Sequence, residues 1–127
     1  MPISYQVLKD KMLVIITSSG DIGLQEAILC LDQMNSDAEY SSEYNLLWDS
    51  TERASIFTYD EMQKLLRHVK RYKGDKLPKR AIVVSKSVNY GMARVYDSLI
   101  TMDSKVQVKI FYNRTEALNW LGIRDNL

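Results

Sequence analysis

The residues able to do chemistry are few and widely spaced. His68 is the only histidine, and it falls between Lys64 and Tyr72, off the apolar stripe of the helix predicted there. A serine-histidine-aspartate nucleophile or a histidine-rich metal site therefore has no support. Cys30 is the single cysteine, so no intramolecular disulfide can form, and without an obvious base beside it the thiol reads as a small hydrophobe. Asp49 and Glu52 could in principle share acid-base work. That work needs one carboxyl desolvated, and the surrounding "DSTER" is polar. The "GDIG" at 20–23 lacks both the G-x-G-x-x-G spacing and a lysine-serine ending. No catalytic residue, metal or cofactor is assigned, and the chain reads as a non-enzyme.

A glycine inside a predicted helix is the most telling spacing. Residues 87–99, "SVNYGMARVYDSL", place Val88, Met92, Val95 and Leu99 on one stripe and Tyr90, Arg94 and Asp97 on another face. Gly91 costs up to about 1 kcal/mol relative to alanine in a helix interior, so a compensating need is expected. Either a neighbouring element packs on the bare backbone, or a ligand or partner approaches there. Tyr90 and Arg94, four residues apart, can stack, with Asp97 holding the guanidinium.

The elements that must position these residues follow from periodicity. Residues 3–8 and 12–17 are two β-prone runs joined at Asp10-Lys11, a hairpin whose first strand lies at an edge. Asp21 is placed to cap a helix over about 23–35, with Leu24, Ala27, Ile28, Leu31 and Met34 as its stripe and Cys30 at the margin. "YNLLWD" at 44–49 reads as a buried strand entering the polar loop "DSTER". Thr58 and Glu61 form a capping box for the next helix, which ends at Gly74. "AIVVS" at 81–85 is a buried strand, 106–112 another, and a last helix is capped by Asn113 and Glu116 and closed by Gly122.

The resulting order is β-β-α-β-α-β-α-β-α, an α/β single domain spanning 1–127. Its sheet is mixed and five-stranded, with only the first strand antiparallel. Ligands of such sheets bind beyond the carboxyl ends of the strands. The candidate binding residues are therefore Asp49, Ser50, Ser85, Ser87, Tyr112 and Asn113, joined at the rim by Tyr90, Gly91 and Arg94.

Composition narrows the classes further. Of 127 residues 46% are hydrophobic and 26% charged, as in ordinary globular proteins, and the net charge of +1 hides a lopsided distribution. Ten acidic residues lie between Asp21 and Glu61 against Arg53 alone, whereas 64–80 holds eight basic residues against Asp75. Only Tyr72 interleaves that basic run with an aromatic platform, which argues against nucleic acid as the partner. The start has neither the basic region nor the continuous apolar core of a signal peptide, and no apolar run approaches the roughly 20 residues of a membrane span. A cytoplasmic location is expected.

"YGMARVY" at 90–96 and "EALNWLG" at 116–122, together with the element order, resemble small bacterial STAS-like proteins, relatives of the anti-sigma-factor antagonists. The resemblance implies a β-hairpin followed by β/α units, and binding rather than catalysis. In antagonists of that kind a serine or threonine beside a helix start is phosphorylated. The matching region is 49–62, with Thr58 the nearest counterpart and Ser50 and Ser55 close by, although the Asp-Ser-Ser-Gly pattern is absent. The functional expectation is a regulatory or protein-interaction module that binds a protein partner or itself as a homodimer. The alternative is a small-molecule or lipid carrier, with Arg94 or the basic run meeting an anionic head.

Overall fold

A computed structural model describes residues 3–20, 22–53, 58, 60–61, 64–65, 78–85 and 107–123. Strands β1 (Ile3–Leu8), β2 (Leu13–Gly20), β3 (Asn45–Arg53), β4 (Lys79–Val84) and β5 (Gln107–Phe111) form one mixed sheet in the order β1-β2-β3-β4-β5. Helix α1 (Leu24–Ser36) joins β2 to β3, and helix α2 (Arg114–Trp120) follows β5. β1 pairs antiparallel with β2, and all later neighbours pair parallel. The α/β class and the mixed five-stranded sheet agree with the sequence reading.

Two of the four expected helices are described end to end. Of the helix expected after Thr58, Asp60, Glu61, Lys64 and Leu65 are helical; the one expected over 87–99 lies outside the described residues.

The short connection between β1 and β2 is a 3-10 turn, Lys9–Lys11, that closes through Met12 at φ 51°. Side-chain alternation then assigns two faces. Ile3, Val14, Ile16, Leu46 and Trp48 point to the α1 side, where Ala27, Cys30, Leu31 and Met34 meet them and Leu65 joins the cluster. Leu13, Ile15, Leu47, Ala81, Val83 and Phe111 point to the other side, against Ala117, Leu118 and Leu121. β2 is thus apolar at consecutive positions because both of its faces are covered. Each fully buried leucine or isoleucine in these layers contributes about 2 kcal/mol of transfer free energy.

Local signals set the helix ends. Asn113 accepts from the Thr115 and Glu116 N–H groups at 2.7 and 3.2 Å, satisfying two donors of the first turn of α2. At its other end Gly122, at φ 82°, donates to the Asn119 carbonyl while Ile123 donates to that of Leu118. This is a Schellman closure, which needs the left-handed residue that glycine supplies.

Two sequence expectations are corrected and a third falls outside the described residues. Gly23 occupies the N-cap position of α1, with the Glu26 carboxylate accepting from its N–H at 3.5 Å, and Asp21, expected to cap this helix, lies outside the described residues. Cys30 lies inside the buried stripe, not at its margin. The "STER" residues after Asp49 continue β3 as strand, because Ser19 and Gly20 of the long β2 extend far enough to pair with Glu52 and Arg53.

Candidate functional site

Parallel register brings the strand ends together. Asp49 stands beside Val83, Ser50 beside Val84, and Val83 beside Phe111, so Asp49, Ser50, Ser85, Tyr112 and Asn113 lie level with the carboxyl ends of β4 and β5; Asp49 and Ser50 are not at the end of their own strand as expected, because β3 continues to Arg53. Ser85 and Tyr112 are half-buried there, and Asn113 is exposed. Ser87, Tyr90, Gly91 and Arg94 lie outside the described residues.

Among the described residues, the buried polar side chains are Ser18, Asp49 and Ser50. All three sit toward the carboxyl ends of β2 and β3, which is where the ladder is irregular. Thr17 pairs with Asp49 but Ser19 pairs with Glu52, so β3 carries one extra residue opposite Ser18. A bulge of this kind leaves a backbone group without its ladder partner. Asp49 Oδ1 supplies an acceptor locally, taking the Thr51 N–H at 3.1 Å and the Thr51 hydroxyl at 2.7 Å.

The other oxygen of Asp49 is committed as well. Arg114 Nη1 donates to Asp49 Oδ2 at 2.9 Å, tying the middle of β3 to the first residue of α2. An arginine at a helix amino end opposes the helix dipole, and the carboxylate offsets that cost. Across the sheet on the α1 side, Trp48 Nε1 donates to the Ser18 hydroxyl at 3.1 Å, giving the buried indole its partner.

The edge is therefore a fastened polar rim. Asp49 accepts three hydrogen bonds, and the Asn113 amide oxygen is used in capping, so neither offers an uncommitted base. Thr58, the counterpart of the antagonist phosphosite, is exposed and works as a cap. Its hydroxyl accepts from the Glu61 N–H at 3.2 Å and its own N–H donates to Glu61 Oε1 at 2.9 Å. Burial pushes the Cys30 thiol pKa up, which suits packing and not nucleophilic chemistry.

Sequence reasoning missed Arg114 and Ser18. A signal existed for each: a carboxylate ending an apolar strand needs a countercharge, and an indole buried in a sheet needs an acceptor. Neither signal names its partner, which lies 65 residues away for Asp49 and 30 for Trp48.

No helix among the described residues is long and apolar enough to cross a membrane. No family model matches the chain, and neither a curated protein nor a solved structure matches it.

Proposed function

We propose that the chain is a non-enzymatic protein-interaction module of the STAS-like type. It engages a protein partner, or a second copy of itself, through its sheet edge and the carboxyl rim. The observation that carries this reading is the state of Asp49. The one buried carboxylate among the described residues spends both oxygens on Thr51 and Arg114, holding the rim in shape. A rim stiffened in this way presents Ser85 and Tyr112 from fixed strand ends, which favours recognition because little side-chain freedom is lost on binding.

The test is light scattering on the purified chain, alone and after incubation with lysate of its source cells, beside Tyr112→Arg. A dimer mass, or a stoichiometric complex, that Tyr112→Arg abolishes supports the reading. A monomer that forms no complex overturns it. A bound small molecule that raises the melting temperature without any protein partner overturns it in favour of the carrier alternative.

A further inference from the structure

We infer that the outer edge of β1, which has no neighbour among the described residues, is a docking strip for an extended basic segment of a partner protein, which adds to the sheet as a sixth strand. The inference rests on the interaction-module reading and names the partner's chemistry. Three observations carry it.

First, β1 is a terminal strand, and among the described residues its backbone bonds only to β2. In an antiparallel pair alternate residues turn their N–H and C=O groups away from the partner strand, so β1 carries a row of outward donors and acceptors that no described residue meets. Second, the strand "ISYQVL" lacks three of the devices that block edge pairing: it has no charge, no proline and no register break against β2.

Third, the flank beside this edge is acidic. Tyr5 reaches up from β1 to α1, donating to Asp37 Oδ2 at 2.8 Å, and its hydroxyl lies 3.5 Å from the Gln33 carbonyl oxygen. The β1 side of α1 is thereby located. By helical spacing Leu29 lies one turn before Gln33 and Glu26 two turns before, on that same side. Leu29 is 61% exposed. The Glu39 N–H and the Tyr5 hydroxyl hold the Asp37 carboxyl below its ordinary pKa, so it stays ionised. Neither Glu26 nor Asp37 forms an ion pair among the described residues. α1 contains no lysine or arginine.

Charge selects the occupant. An added strand sends alternate side chains to the α1 face. Glu26 and Asp37 are eleven positions apart on and just past α1, about 16 Å. At roughly 3.3 Å per residue this span is about five residues; the nearest spacing that keeps both side chains on one face is four, about 13 Å, and the long stems of two lysines cover the remainder.

The test uses the peptide Thr-Lys-Thr-Val-Thr-Lys-Thr, blocked at both ends, titrated into the isotopically labelled chain. Amide shift changes are expected across 3–8, with affinity falling at least about tenfold in Glu26→Gln/Asp37→Asn. Both substitutions keep a side-chain acceptor for their local hydrogen bonds. Backbone N-methylation of the peptide leaves the protein untouched and is expected to abolish binding. A glutamate-for-lysine peptide is expected not to bind. Equal affinity for the double variant, equal binding of the N-methylated peptide, shift changes confined to Ser85 and Tyr112, or no binding at all would each overturn the inference. If the peptide fails while the Tyr112-dependent complex persists, the basic strand is wrong and the module reading stands. If both fail, both are wrong.

Discussion

The carboxyl rim and the β1 edge lie on one sheet and treat their polar groups in opposite ways. At the rim the polar groups find partners within the chain: Asp49 takes Thr51 and Arg114, Ser18 takes the Trp48 indole, and Asn113 takes two amides of α2. At the β1 edge the outward backbone row has no described partner, and the carboxylates beside it have no described countercharge. A buried polar group must be satisfied internally or the fold loses stability, whereas an edge group can wait in water for a partner. The rim therefore belongs first to the architecture, and the edge is the surface that the described residues leave open.

Substitutions at the two regions should separate on that basis. The largest effect is expected for Asp49→Ala, which removes three accepted hydrogen bonds and strands the Thr51 N–H at the bulge; chemical denaturation should show a loss of about 2–3 kcal/mol. A loss within a few tenths of that of a surface substitution would mean the rim is not held by Asp49.

Asn113→Ala removes the cap of α2 and is expected to cost about 1 kcal/mol in the same measurement. Because α2 covers the Leu47 and Val83 layer, exchange of those amides should accelerate with it while that of the α1 layer should not.

The smallest effect belongs to the open side. The Asp37 pKa is lowered by the Glu39 N–H and then by Tyr5, so its contribution is present above the unfolded value near about 4 and lost as pH falls through the folded one. The Tyr5 pKa is raised by its bond to Asp37, so its contribution is present below about 10 and lost as pH rises through the folded value. Melting curves of Tyr5→Phe should therefore lie slightly below wild type at neutral pH and converge with it at both extremes. A gap constant across pH would show that the tyrosine-carboxylate link makes no ionisation-linked contribution.

Much of the framework was legible because it is local. The runs "MLVIIT", "NLLW" and "AIVV" announce strands covered on two faces, and Asn113 and Gly122 mark the ends of α2 by capping chemistry that spans a few residues. The polar "STER" was misread as a loop because composition cannot show that β2 is long enough to pair with it. The start of α1 was legible to within a residue, and the Glu26 carboxylate that reaches back to the Gly23 N–H belongs to the same turn. Topology brings Asp49, Ser50, Ser85, Tyr112 and Asn113 to one level of the sheet, as expected, but their roles were not legible. Whether Asp49 is a free carboxylate or a clamp depends on Arg114, which no periodicity connects to it.

Backbone amide exchange along β1 tests the central claim most directly. In the free chain, alternate amides of Ile3–Leu8 should exchange nearly as fast as unprotected backbone, while their neighbours facing β2 and the amides of Leu46 and Leu47 exchange slowly. Uniform slow exchange along all of β1 would mean that the edge is already occupied, and would contradict the division between a fastened rim and an open edge.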